Sequence, residues 1–179
     1  MTGMAEAMSH HGEDVTVLAD GLNHKNDKEK NYQIIRFSGW KPLRRLRKAK
    51  FLKKICEEKD VKAIYADSWK SVEYINEIKT KIIVLAHGTE IPKQNESLFS
   101  IKNRFKKIRI ISTYQKVHRI IANSNYTKDL MIASLNIDKK IIKIIHPGID
   151  VYEKFITTKD QIYTQQLLRN KSPIIITLA

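Results

Sequence analysis

"RIIANSNYTKDLMIASLNIDKKIIKIIHPGID", residues 119–150, decides the fold. Ile120, Ile121 and Ala122 make a short apolar run that stops at Asn123-Ser124-Asn125. A helix-compatible stretch follows, then a second strand-like run over 141–145 and a turn at Pro147-Gly148. A strand, a helix and a strand in such quick succession predict a crossover unit with two parallel strands.

The same alternation extends outward. Strand-like runs occupy 15–19, 32–37, 62–66, 81–86 and 173–178, most of them β-branched and little interrupted by polar residues. That is the composition of strands covered on both faces. Leu43, Leu46, Ala49, Leu52 and Ile55 recur at helical spacing, as do Val72, Ile75 and Ile78. Pro42 suits a first helical turn, and Asp67 or Ser68 suits an N-cap. Residues 20–31, "DGLNHKNDKEKN", read as a polar surface loop. The whole predicts an α/β fold: a Rossmann-like, doubly wound, mostly parallel sheet with helices on both faces. In that architecture ligands gather at the carboxyl ends of the strands.

At 179 residues the chain is long enough for one domain with a real core. No apolar run approaches the roughly 20 residues of a membrane-spanning helix, and the start lacks the apolar centre of a secretory signal. The single cysteine, Cys56, cannot form an internal disulfide, in keeping with a reducing cytoplasm. Thirty-three Lys and Arg against nineteen Asp and Glu give a net charge of +14. Such an excess suits a polyanionic neighbour (nucleic acid, an acidic membrane or a phosphorylated ligand), or simply a Lys/Ile-rich composition. The charge is densest in the predicted helix 41–59, "KPLRRLRKAKFLKKICEEK". Its Leu43, Leu46, Leu52 and Ile55 are expected to face the sheet. Arg44, Arg45, Arg47, Lys48, Lys53 and Lys54 are then expected outside, facing either solvent or an anionic bilayer. A second basic cluster, "KNRFKKIR", spans 102–109.

Two strand ends carry candidate chemistry. In "VLAHGTE", residues 84–90, a buried strand delivers His87, Gly88, Thr89 and Glu90 to the ligand-binding edge. An imidazole there can donate or accept a hydrogen bond, and a glycine lets backbone approach a ligand closely. The competing reading is a plain turn with Gly88 at positive φ. Ser124 can cap the helix that follows it, and a strand-to-helix turn of this kind is also a ready anion site. Gly3 before a helix is a weak phosphate-loop signal. The G-x-G-x-x-G, P-loop and G-x-S-x-G motifs do not occur, nor does paired Cys/His metal spacing, so no metal is implied.

Residues 119–150 resemble the end of the N-terminal domain of the retaining glycosyltransferases of family 4, enzymes of the two-domain GT-B fold. The resemblance rests on Ser124-Asn125-Tyr126-Thr127-Lys128, Leu135-Asn136-Ile137-Asp138 and His146-Pro147-Gly148-Ile149-Asp150. "VLAHGTE" resembles the family strand ending in H-G or H-x-x-E, and "MTGMAEAMSHHGEDVTVL" the helix after its glycine-rich loop. "SPIIITLA" resembles the opening of the donor domain.

The resemblance implies an N-terminal domain over 1–172, without its first strand, and the first strand of a C-terminal donor domain over 173–179. It implies His87 beside the transferring sugar, Gly3 near the donor diphosphate, and Gly88, Thr89, Glu90 and Ser124 lining the cleft. The donor would be a nucleoside-diphosphate sugar, used as a substrate with no separate cofactor. The acceptor would be a glycan or a lipid-linked hydroxyl of envelope polysaccharide or lipopolysaccharide synthesis, at the inner face of the cell membrane. The family's donor-side basic pair and E-x7-E carboxylates have no counterparts here, so transfer is expected to need a donor domain as partner. The rival readings are a non-catalytic basic module for membrane or nucleic acid, and another Rossmann-type nucleotide-sugar enzyme such as an epimerase.

Overall fold

The computed structural model describes residues 2–76, 78–92 and 101–148. In chain order these form α1 (Thr2–His10), β1 (Thr16–Asp20), β2 (Gln33–Phe37), α2 (Lys41–Glu58), β3 (Ala63–Ala66), α3 (Trp69–Val72), β4 (Lys81–Ala86), α4 (Ile101–Tyr114), β5 (Arg119–Ala122), α5 (Asn125–Leu135) and β6 (Ile142–Ile144). Short 3-10 turns occupy Lys25–Glu29 and Lys139–Ile141. Six of the seven predicted strands are therefore present. The seventh, over 173–178, lies outside the described residues, as do Ile149 and Asp150.

Every strand pair is parallel, in two sheets: β1-β2, and β3-β4-β5-β6. The decisive crossover is observed, with Ile120, Ile121 and Ala122 of β5 opposite Ile142, Lys143 and Ile144 of β6. With the order β3-β4-β5-β6, crossovers of the usual right hand put α3, α4 and α5 on one face of the larger sheet. The architecture is α/β and Rossmann-like, with helices on both sides of parallel sheets.

The core lies between the four-stranded sheet and those helices. Trp69, Val84, Ile110, Tyr114, Ile120, Met131 and Leu135 are almost wholly removed from solvent. Burial of each large apolar side chain contributes about 1.5–3 kcal/mol before conformational entropy is counted. Strands β4 and β5 alternate buried and half-buried positions, as expected for the middle of a covered sheet. The β1-β2 pair has no fully buried strand residue, so the expectation of burial on both faces fails there. A two-stranded ribbon has fewer neighbours to cover it.

Caps define the helix ends. Gly12, at φ +84, follows α1 where an L side chain would be strained, and the Glu13 N–H returns to the Met8 carbonyl at 3.1 Å. The predicted loop 20–31 is more ordered than its composition suggests. His24 caps the first 3-10 turn in a capping box with Asp27, and Arg36 of β2 clamps the Asp27 carboxylate at 2.5 and 2.8 Å. That guanidinium, helped by the His24 backbone N–H, pulls the Asp27 carboxyl down to about 2.

Helix α2 corrects the sequence reading. Leu43 and Leu46 are exposed, whereas Arg44, Arg45 and Lys48 turn inward. Arg44 and Lys48 both reach the Asp20 carboxylate at the end of β1, at 2.8 and 2.5 Å. Arg45 approaches Glu73 at 3.9 Å. Burial alone would raise the Asp20 carboxyl, but these two cations outweigh it and hold it below the ordinary carboxylate range. Aliphatic stems of Lys and Arg cover apolar surface well, so charge at the head does not dictate which way a helix faces. Arg47, Lys53 and Lys54 remain exposed, the last two beside Glu57 and Glu58 one turn on.

Candidate functional site

The carboxyl ends of β3, β4 and β5 lie side by side and release Asp67, His87 and Asn123 at one edge of the sheet. The backbone passes from buried strand to open turn within one residue, since Ala66, Ala86 and Ala122 are all in the core. Small residues at those strand ends let the helices behind approach closely.

His87 stands exposed at the centre of this edge. Its Nε2 lies 3.2 Å from the Asp67 carbonyl oxygen. A carbonyl only accepts, so Nε2 carries a hydrogen in this contact, and in the neutral ring Nδ1 is then the acceptor. The backbone around it is fixed from two sides. The His87 N–H donates to Glu90 Oε1 at 3.3 Å, and Asn123 Nδ2 donates to the His87 carbonyl at 3.5 Å. Thr89 Oγ1 lies 3.5 Å from the other Glu90 oxygen.

Gly88 has φ +86, and a Cβ built there would meet Thr127 Oγ1 at 2.8 Å. The glycine makes the turn at positive φ, and its backbone makes a close approach within the protein itself. What it approaches is the start of α5. Ser124 is the N-cap, its hydroxyl accepting from the Thr127 N–H at 3.1 Å. Thr127 Oγ1, almost fully buried, donates to Asn123 Oδ1 at 2.6 Å. Ser124 Oγ also contacts Asn123 Oδ1 at 3.3 Å and Thr127 Oγ1 at 3.1 Å. The Ser124 hydroxyl is thus engaged inside its own turn. Below the loop, burial holds the Tyr114 phenol well above its usual range, with the Glu90 carboxylate adding to the effect.

The structure therefore gathers His87, Gly88, Thr89, Glu90 and Ser124 at one edge. Gly3 is elsewhere in character: it lies in the first turn of α1, exposed, and a Cβ there meets nothing within 4 Å. Among the described residues no cluster of His, Cys, Asp or Glu could hold a metal ion. Asp67 was read only as a possible cap, where Ser68 is the N-cap observed, and Asn123 only as the end of a strand; their roles at this edge run through a backbone carbonyl and a cross-turn amide, which no spacing reveals. Thr127 carried a signal in its position three residues after the cap.

The family model described as Glycosyltransferase Family 4 matches residues 1–153. The chain belongs to that family. No curated protein sequence matches it. Solved structures share the fold. A glycosyltransferase from Rickettsia africae ESF-5 aligns with a TM-score of 0.60 at 18% identity, covering 97% of this chain and 46% of that one. Anabaena Alr3699/HepE in complex with UDP-glucose aligns with a TM-score of 0.61 at 17% identity, over 93% of this chain and 45% of that one. The same protein in complex with UDP gives 0.55 at 14%, over 86% and 50%. At these identities the likeness is one of fold, and this family 4 chain spans about half the length of the structures it matches.

Proposed function

We propose that this chain is the acceptor-side domain of a retaining glycosyltransferase. The whole enzyme would move a hexose from a nucleoside-diphosphate sugar to a hydroxyl of a glycan or a lipid-linked acceptor. The observation that carries the reading is the His87 turn. An imidazole oriented by its Nε2 contact to the Asp67 carbonyl stands exposed at the carboxyl edge of a parallel sheet, where this fold class binds ligands. HepE, a structural neighbour, was solved with UDP-glucose, and also with UDP and glucose, which supports a nucleotide sugar as donor.

In this reading His87 Nδ1 accepts a hydrogen bond from a hydroxyl of the transferring sugar, orienting its ring as the glycosidic bond to the diphosphate lengthens. Thr89 and Glu90 line the acceptor side, and Gly88 keeps the loop low enough for the sugar to pass. Ser124 and Thr127 serve as positioning residues for that loop. Stabilisation of the departing diphosphate falls to the donor-side domain, together with the N-terminal segment around Gly3. Basic groups and a helix N-terminus suffice there, without a metal. The acceptor belongs to envelope polysaccharide or lipopolysaccharide assembly at the cytoplasmic face of the membrane. No described helix is long and apolar enough to cross a bilayer; in this reading contact with a lipid-linked acceptor is peripheral.

The test is transfer from radiolabelled UDP- and GDP-hexoses by the whole polypeptide that carries this chain, with thermal stability measured alongside. The expected result is stabilisation by one nucleotide class and transfer to a lipid-linked glycan with retained anomeric configuration. Sugar isomerisation in the absence of any acceptor would favour an epimerase instead.

A further inference from the structure

At the carboxyl edge of the larger sheet most polar side chains already use their hydrogen-bonding capacity on the loop itself. Glu90 accepts from the His87 N–H through one oxygen and faces the Thr89 hydroxyl with the other. Asn123 gives its amide to the His87 carbonyl and takes the Thr127 hydroxyl on its oxygen. Ser124 is closed into its own cap. Glu90, Asn123 and Ser124 are all half-buried.

Two atoms are left over, and both only accept. One is Nδ1 of the neutral His87 ring, since Nε2 faces the Asp67 carbonyl. The other belongs to the Asp67 side chain. Its Oδ1 takes the Ser71 hydroxyl, and its Oδ2 meets no donor among the described residues. Asp67 and His87 are both exposed, and they follow β3 and β4, paired strands about 4.8 Å apart. Two bare acceptors side by side call for two donors, which sugar hydroxyls supply and an ionised phosphate or carboxylate does not. Local charge runs the same way. Within a chain of net charge +14, these strand ends present two carboxylates, Asp67 and Glu90.

We propose that Asp67 is the residue that holds the acceptor. Its Oδ2 accepts a hydrogen bond from a hydroxyl of an uncharged acceptor sugar, while His87 Nδ1 serves the transferring sugar. An acceptor ring carrying a carboxylate or phosphate at that position is rejected, because it brings a second anion and no donor. The assignment rests on the transferase reading above and deepens it, naming the charge class of the acceptor and the side chain that selects it.

The experiment is steady-state transfer by the whole polypeptide from radiolabelled UDP- and GDP-hexoses. The acceptors are methyl hexosides of gluco, galacto and manno configuration and the matching methyl hexuronosides. At least one neutral hexoside is expected to accept sugar, and its uronoside to do so at least about tenfold less well. Asp67→Asn puts an amide donor where Oδ2 accepted. It is expected to raise the KM for the neutral acceptor about tenfold, to keep the donor KM within about twofold, and to narrow the preference over the uronoside. Ser71→Ala breaks the contact inside the turn without touching Oδ2, and is expected to leave the acceptor KM near its native value. Circular dichroism checks that both variants fold. A native protein that neither transfers nor hydrolyses the donors ends the transferase reading and this assignment with it. The assignment alone is overturned if the donor is consumed but no neutral hexoside accepts, or if a uronoside serves as well as its neutral counterpart. It is equally overturned if Asp67→Asn leaves the acceptor KM unchanged or moves the donor KM as much, or if Ser71→Ala reproduces the Asp67→Asn effect.

Discussion

Gly88 and Thr127 touch so closely that a Cβ on the glycine would stand 2.8 Å from the threonine hydroxyl. Two strand ends, β4 and β5, are locked together at that point, and His87 is held beside the lock. Gly88→Ala is expected to destabilise the chain by about 2–3 kcal/mol, combining a left-handed backbone with the clash. Thr127→Ala removes the obstructing oxygen, so the double variant should cost less than the sum of the two single changes. Urea unfolding of the four-member cycle measures the difference.

His87→Ala in the whole polypeptide is expected to lower kcat for sugar transfer by about a hundredfold while leaving unfolding midpoints nearly unchanged, because the ring is exposed. His87→Asn keeps a hydrogen-bonding group and should recover part of the loss. Steady-state transfer kinetics, with circular dichroism as the folding control, distinguish this from damage to the loop.

Ser124→Ala removes the α5 cap and leaves the Thr127 N–H without its partner. The expected cost is about 1 kcal/mol. Ser124→Asp should restore most of it, since aspartate caps equally well. A denaturant series on the three proteins checks the order.

Much of the fold was legible before any coordinate. β5 and β6 were readable because apolar β-branched runs bounded by small polar residues leave few alternatives. Ser124 was readable as a cap because its role is local. Helix α2 was misread for the opposite reason: its orientation depends on partners distant in sequence. Asp20 captures Arg44 and Lys48, and Glu73 captures Arg45, so the three-residue apolar repeat points outward at the helix start. The candidate site divides in the same way. His87 and Gly88 announced themselves at a strand end, whereas the Asp67 carbonyl that fixes the imidazole is a backbone atom which only the fold brings near.

The Asp27–Arg36 clamp makes a pH prediction. The Asp27 carboxyl sits at about 2 when folded, below its usual value near 4. A depressed carboxylate adds stability that is complete above the unfolded pKa and is lost as pH falls through the folded one. The stability gap between the native protein and Asp27→Asn should therefore be constant from pH 7 to about 5, then close between about pH 4 and 2. Urea midpoints at stepped pH follow that closure.

Glu73→Gln removes the carboxylate that joins α2 to α4. Arg109 is half-exposed and can turn to solvent, so the expected loss is modest, about 1–2 kcal/mol, and smaller at high salt. Near-ultraviolet circular dichroism should also change, because Arg109 lies 5.6 Å from the Trp69 ring centre.

The division into a two-stranded and a four-stranded sheet has a consequence in time. Amides of β4 and β5 lie in the middle of the larger sheet over a dry core, so they should exchange with solvent only when the whole unit opens. Amides of β1 and β2 sit in a half-covered ribbon tied to its neighbours by surface charges such as Glu13 to Lys62, Asp20 to Lys48 and Glu6 to Lys30. Salt weakens those ties but not the apolar core. The ribbon should open and close many times for each opening of the rest, and faster as ionic strength rises. The chain thus keeps two clocks, one for each sheet.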